Sequence, residues 1–542
     1  KSLIKTLFID NNQNMWIGTG NNGVGRINLH APRFYRLFNT NDDTGNFVRY
    51  FWKDKNERLW IQIKNEDFVC YDKDSKRSLI PSSTRMINSI SEDKKGNIWA
   101  STIDEIYFFN LENNNYKPQK ILNSKSFPEE IRNKISVIRS VKEDGFGNIW
   151  VGCWNGILLI KNYRNPNTTY HFYQDFETPF NHISVHSLYV DNTGENIWAC
   201  SRDYGLFKLI IDKEGNILNK KRFHSSGIKG KQLNSNHVWS VYKSNNGTVW
   251  VGTDSGLNSI TINGDDYQIE SIEALRSFKI QTIIEDDNNQ LWLNSSMGLL
   301  CYNISDKSLK RYTYSDGLSN TALSDCAQID ENGFIYISTI NGITFFKPQE
   351  IIQNPYKPEV LFTGFNIFNK EVKVGEKING RIILEKSLTS KPTIRLKHNE
   401  NNFTIQYVGL HFANPAENKF QHKLIGYNNE WIHNSPGNRS ASYNNLPIGT
   451  YKFYVKSANS DGIWSDETLL AEIEILPAPW VSWWAWAIYT LMISALIYLI
   501  FSYYKRQENL KRSLWKEQLE RHHDKERSEE RRVGKECRSR WS

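Results

Sequence analysis

The stretch EDGFGNIWVGCWNG, residues 143–156, decides the fold. Asp144 opens a polar turn, Gly147-Asn148 closes it, and Ile149-Trp150-Val151-Gly152 runs on as a strand to a second turn at Asn155-Gly156. Strand, tight turn, strand, turn, strand is a β-meander, in which Gly and Asn supply the positive φ of each hairpin. The same grammar recurs as IDNNQNMWIGTGNNG around Trp16, KDKNERLWIQI around Trp60 and EDKKGNIWAST around Trp99. It continues as VDNTGENIWACSRDYG at Trp198, KSNNGTVWVGTDSG at Trp250, EDDNNQLWLNSSMG at Trp292 and IDENGFIYISTING at Tyr336. Successive aromatics stand 44, 39, 51, 48, 52, 42 and 44 residues apart. Asp lies six residues before the aromatic in six of the eight copies; Ser244 replaces it once, and Asp191 is displaced by one inserted residue.

A lone four-stranded sheet of about 45 residues cannot bury both faces, whereas radial stacking of such sheets can, and this period is that of propeller blades. The expected fold is therefore all-β. One Trp per unit at a fixed strand register is what packing between blades demands, and the repeated Asp is a turn former that bonds backbone N–H groups.

The pattern D-x-x-G-x-[IL]-W-[IV]-G-T-x-x-G-[IL] resembles the two-component-regulator propeller repeat of periplasmic sensors in hybrid histidine kinases, especially the Bacteroidetes systems that detect glycans. The resemblance covers roughly residues 1–350. In that family two seven-bladed propellers stand in series. The seven copies from Trp60 onward then make one seven-bladed β-propeller, expected over 36–353, and the Trp16 copy in 1–35 is the last blade of a truncated upstream propeller. The first residue is Lys1 and already lies inside a repeat, so a gene fragment is the expected source.

The grammar changes at Asn354-Pro355. Short alternating stretches with Gly/Asn turns, among them NNFTIQYVGLHF and SASYNNLPIGTYKFYVKSAN, predict an immunoglobulin or fibronectin-like β-sandwich of seven or so strands over 354–478. The run Lys423-Leu424-Ile425-Gly426-Tyr427 to Trp431, then Tyr443-Asn444-Asn445-Leu446-Pro447 to Tyr451, then Asn459 to Ser465 is similar to the triple-tyrosine domain of the same family. Its aromatics are expected in the sandwich core.

Trp483 to Tyr504 carries no charged residue, and 22 residues at about 1.5 Å each span roughly 33 Å, enough to cross a bilayer. A single transmembrane helix is expected over 480–504, with Trp480, Trp483, Trp484 and Trp486 at one interface and Tyr503 and Tyr504 at the other. Lys505, Arg506, Lys511 and Arg512 follow, which places the C-terminal side in the cytoplasm and the propeller outside. Residues 505–527 read as the start of a cytoplasmic signalling helix with a Leu510, Leu514, Leu519 stripe too short to argue a coiled coil. The tail 528–542 resembles vector or adaptor read-through and is set apart as a non-native segment.

Composition narrows the function. At 39% hydrophobic and 13% aromatic the 542 residues are no disordered chain. Net charge is +8, but residues 505–542 hold 13 Lys/Arg against 8 Asp/Glu, so the rest is close to neutral and offers no basic face for nucleic acid. The six cysteines form no C-x-x-C pair and no zinc-ligand spacing, so neither a metal site nor a cofactor is expected. His522 and His523 lack the acidic residue and Thr/Asn-Pro that follow the family's phosphoacceptor, and the chain shows no nucleotide site or receiver aspartate cluster. The resemblance makes the intact parent a phosphorelay sensor kinase, while these residues hold none of its catalytic core.

A propeller can also be a glycosidase or lyase. The sialidase turn S-x-D-x-G-x-x-W differs from D-x-x-G-x-x-W by one residue between Asp and Gly, and no carboxylate pair stands out from the turn acids, so no catalytic residue is assigned. A protein-binding scaffold is the other alternative. For a sensor, ligand-binding candidates lie where loops depart from the repeat: Trp154 in GCWNG, Arg202, Asp203 and Tyr204 in SRDYG, and His182 and His237 leading into inner strands. Aromatics stack on sugar rings and Arg, Asp and His hold hydroxyls or an acidic group. Trp239 ranks last because its strand position favours burial. The expected whole is a single-pass inner-membrane sensor with propeller and sandwich in the periplasm, recognising an oligosaccharide; a homodimer is implied by the resemblance.

Overall fold

The computed structural model describes residues 3–538 except 39–45, 73–74, 82–85, 112–115, 124, 165–166, 175, 177–182, 265, 320–322, 379 and 436. The chain divides into two compact units, residues 1–355 with 412–414 and residues 356–411 with 415–542.

In the first unit, each repeat folds as one sheet. Among the described residues seven sheets have four strands, and their first strands are Val48–Lys53, Ser89–Glu92, Ile138–Glu143, Val185–Val190, Val238–Lys243, Ile280–Glu285 and Leu323–Ile329. Each first strand packs beside the next, and Leu323–Ile329 packs beside Val48–Lys53, so the sheets close into a seven-bladed propeller around an axis. Gln328 and the backbone of Lys53 exchange hydrogen bonds of 2.6 and 2.8 Å across that closure. The seventh blade takes its outer strand from Tyr35–Leu37, which pairs antiparallel with Gly342–Phe346. An eighth, three-stranded sheet, Ile4–Ile9, Asn14–Thr19 and Val24–Asn28, stands before the ring with Leu7, Phe8 and Val24 exposed.

The repeated aromatic bridges blades. Trp60, Trp99, Trp150 and Trp198 are fully buried, and each packs into the following blade, Trp150 against Ile183, Val185 and Leu188. Tyr336 packs on Val48 and Phe51 of the first blade and completes the circle. The repeated Asp holds the turn from below: Asp144 Oδ1 accepts the backbone N–H of Phe146 at 2.8 Å and of Asn148 at 2.9 Å.

The second unit contains a β-sandwich. One sheet orders Lys370–Glu371, Glu359–Ile367, Phe403–Leu410 and Ser440–Tyr443. The other orders Thr393–Leu396, Thr468–Ile475, Gly449–Ala458, Lys419–Ile425 and Asn428–His433. Phe365, Ile405, Tyr407, Leu424, Phe453 and Ile473 fill the core between them.

A short 3-10 turn at Pro479–Val481 precedes one unbroken helix, Trp483–Arg538, of 56 residues. It is long and apolar enough to cross a membrane. The helix starts three residues later than the sequence reading because Pro479 shapes the turn. It also runs through 505 and 528 without a break, where separate segments were expected. The Lys-, Arg- and Glu-rich run after Tyr504 is made of good helix formers, and its first Gly is Gly534.

Candidate functional site

One position of the repeat behaves unlike its neighbours. Eleven residues before the aromatic stand Arg49, Asn88, Arg139, Trp239, Gln281 and Asp325, and His186 holds the same place twelve before Trp198, in the blade whose turn carries the inserted residue. At this place Ile138 pairs with Cys153 and Ser140 with Gly152, which leaves Arg139 as an extra residue. His186, Trp239 and Gln281 are skipped in the same way, and the register also slips around Arg49 and Asp325. A bulge of this kind re-aims the side chain of the extra residue. Here Arg139, His186, Trp239, Gln281 and Asp325 all line one axial cavity of about 170 Å³.

These side chains form a belt of contacts from blade to blade. Arg49 donates to Asn88 Oδ1 at 2.8 Å and faces Asp325 at 3.5 Å. Gln281 Nε2 donates to Asp325 Oδ1 at 2.8 Å. Asn88 Nδ2 donates to the carbonyl of Ile138 at 3.0 Å. Arg139 meets His186 Nδ1 at 3.4 Å, and the His186 ring stands edge-on to Trp239 with centroids 4.2 Å apart. His237 stacks on Trp239 at 4.5 Å, and Lys279 places its ammonium 3.5 Å over the same indole. Asp254 then ties the mouth together, accepting Trp239 Nε1 at 2.6 Å and facing His237 Nδ1 at 2.9 Å.

The same cavity is lined by Tyr50, Trp52 and Lys142, with Ser240 and Thr282. Burial lowers the Lys142 ammonium below the usual lysine range, and burial with the Arg49 cation beside it lowers the Arg139 guanidinium too. Burial, reinforced by Arg139, holds His186 down to about 3, so its ring is neutral at physiological pH. His237 is also lowered by burial, which outweighs the opposing pull of Asp254. The site thus combines indole faces, neutral imidazoles, hydroxyls and fixed cations, the groups that recognise a small polar ring compound. Among the described residues no group of three or more His, Cys, Asp or Glu is placed to hold a metal.

The residues expected from sequence fall on this face in part. The hairpin after each second strand bonds the segment leading into that blade's first strand: Trp154 N–H to Val137 O at 3.1 Å, Arg202 N–H to Ser184 O at 2.9 Å, Asp254 N–H to His237 O at 3.2 Å. His237 joins the belt directly, and the charges of Arg202 and Asp203 act on it. Trp154 is 40% exposed in its hairpin and does not line the cavity. Tyr204 packs against the core of its own blade with Arg222 stacked on its ring at 5.6 Å. His182 lies outside the described residues. Trp239, expected to be buried by its strand, is half-buried at the cavity because the bulge turns it there.

Sequence reasoning passed over Arg49, Arg139, Lys142, His186, Gln281 and Asp325. The signal was available: aligning the repeats on the aromatic puts a polar or aromatic residue in one column where alternation asks for an apolar one.

Two families' profiles match the chain, Two component regulator propeller at residues 232–255 and Y_Y_Y domain at residues 411–476. The propeller match contains His237, Trp239 and Trp250. Histidine kinase P4 of Formosa agariphila is 25% identical over 527 residues, covering 86% of this chain and 37% of that protein. The extracellular domain of a hybrid two component system from B. thetaiotaomicron has a similar fold, with a TM-score of 0.67 and 23% identity over 88% of this chain and 62% of that one. The chain thus spans little more than a third of the curated relative it matches. The chain's motifs led us to expect both profile matches, and one helix able to cross a membrane follows them.

Proposed function

We propose that this chain is the extracytoplasmic sensing and signal-transmitting part of a single-pass, inner-membrane hybrid sensor histidine kinase. Propeller and sandwich lie in the periplasm, and the basic end of the helix lies in the cytoplasm. The ligand is a glycan breakdown product, read so that the genes for using that polysaccharide are switched on. The observation that carries this reading is the axial belt and the cavity it lines: seven equivalent repeat positions, which could all be apolar, instead present Arg, Asn, Arg, His, Trp, Gln and Asp, five of which line the cavity. A ring built only to pack needs no such belt, and a saccharide needs an aromatic face with convergent hydrogen-bonding groups. The sheet Ile4–Ile9 to Val24–Asn28, with its apolar side chains exposed, supports its reading as a blade of a further propeller.

Signalling follows from differential binding. A ligand that binds one arrangement of two paired chains better than another shifts the pair toward it, and the membrane helices carry the difference to the kinase helices. The test is to present the full chain in lipid nanodiscs with a panel of oligosaccharides, scoring thermal shift and product release together. Saturable stabilisation without turnover is the expected result. Turnover would make the protein an enzyme, and capture of protein partners with indifference to every saccharide would make it a scaffold.

A further inference from the structure

We propose that the axial cavity is made for an anionic saccharide, whose carboxylate or sulfate is held by Arg139 and Lys142. This rests on the sensor reading above and adds the chemical class of the ligand.

The charges in the cavity do not balance. Its acid, Asp325, is already engaged by Gln281 at 2.8 Å and by Arg49 at 3.5 Å. Arg139 has one side-chain contact, His186 at 3.4 Å, and its Nε is buried with no partner among the described residues. Lys142 forms no hydrogen bond or ion pair among the described residues; its ammonium stands 5.5 Å over the Trp52 ring. Two cations therefore line one cavity whose acid is engaged elsewhere.

Leaving such groups unpaired is costly: a buried polar atom without a hydrogen bond costs about 1–3 kcal/mol, and an uncompensated buried charge more. An apolar Met or Leu at 142 would fill the same place without that cost. An oxyanion from outside would accept from both cations, which are charged N–H donors. The outer mouth carries its own acids: Asp254 is tied to His237 and Trp239, and Asp203 lies near His237. Arg139 and Lys142 thus keep no acid of their own to pair with.

The test titrates the full chain in nanodiscs with uronate-containing, sulfated and neutral oligosaccharides of equal length, and with inorganic sulfate, following tryptophan fluorescence. Lys142→Met, Lys142→Arg and Arg139→Gln are run beside the native chain. Expected are binding of an acidic saccharide at least about tenfold tighter than its neutral counterpart, loss of that preference in Lys142→Met, and its retention in Lys142→Arg. Uronate against sulfate ester identifies which oxyanion is read. Unliganded Lys142→Met should unfold no earlier than the native chain, because it removes an unpaired charge. Equal affinity for neutral saccharides, abolished by Trp239→Ala, would overturn the charge proposal and leave the sensor reading intact. Binding of inorganic sulfate with no saccharide binding would overturn both. Earlier unfolding of unliganded Lys142→Met would make Lys142 structural and overturn the proposal independently.

Discussion

The indole N–H of Trp150 donates to the Asp144 carboxylate at 2.8 Å, while the indole of Trp198, one blade on, is buried with no acceptor among the described residues. In that blade an inserted residue sets Asp191 seven positions before Trp198, and its carboxylate turns to Lys243 at 2.9 Å and Asn196 at 3.0 Å. The six-residue spacing lets one carboxylate close the turn through Oδ1 and cap the indole through Oδ2. The same link recurs at Asp54–Trp60 and Asp286–Trp292, at 2.9 and 2.8 Å. The spacing does not ensure it: Asp93 keeps the spacing, its Oδ2 is taken by Asn97, Tyr163 and Arg164, and the Trp99 indole N–H is buried with no acceptor among the described residues.

Asp144→Ala strands the Trp150 N–H and two turn N–H groups in a buried setting. We expect it to destabilise the propeller by about 2–4 kcal/mol in urea unfolding. Asp212→Ala, at an exposed outer turn where the carboxylate accepts from Asn216 and Glu214, should leave the midpoint nearly unchanged. Equal effects would show that the repeated Asp does nothing beyond ordinary turn formation.

The Gly after each W-x-G-T strand has a second structural reason. Gly298 has φ 120°, and a Cβ there would lie 2.5 Å from the carbonyl oxygen of Tyr312 on the outer strand. Gly298→Ala should lower the unfolding midpoint by about 2 kcal/mol or more, through strain and overlap together. Gly264→Ala has positive φ but nothing within 4 Å, and should cost about 1 kcal/mol or less. Thermal unfolding of the two variants separates the effects.

His186 gives the ring a dependence on acid. Its folded pKa, about 3, lies below the unfolded value near 6.5, so the unfolded chain binds the proton first and acid favours unfolding. Stability is full above about pH 6.5 and falls as pH drops from there toward 3, by at most about 1.4 kcal/mol per unit for this one group. His186→Gln should flatten the decline between pH 6.5 and 5 in a urea series, with His171, His224, His237 and His422, also lowered by burial, supplying what remains. An unchanged slope would place His186 in a hydrated, protonatable setting.

The ring is closed by Tyr35–Leu37, a strand that comes from the other end of the propeller sequence. A chain beginning at residue 39 exposes the edge of Gly342–Phe346, and should unfold several degrees earlier than one beginning at residue 30. The second chain lacks the three-stranded sheet but keeps the closing strand. Indistinguishable melting curves would mean that closure contributes little.

Fold and site were not equally legible in the sequence. Trp150, Asp144 and Gly156 recur at fixed spacing because every blade meets the same packing problem, and repetition makes that problem visible. Arg139, His186 and Asp325 occupy one column of the same repeat but share no identity, since the belt needs different groups in different blades. A search for departures in loops finds His237 and Arg202. It misses a departure placed on a strand, because alternation assigns such a residue to core or solvent and gives no warning that a bulge will turn it to the axis. Trp239 was ranked last for that reason.

The account turns on the axial cavity as the place where ligand binds, and backbone hydrogen exchange of the full chain, with and without a bound acidic oligosaccharide, tests it most directly. Protection is expected at 138–142, 185–188, 238–241 and 324–327, the bulged segments of the inner strands, with the outer strands unchanged. Protection confined to the sandwich, or to outer-strand edges of the propeller, would contradict it.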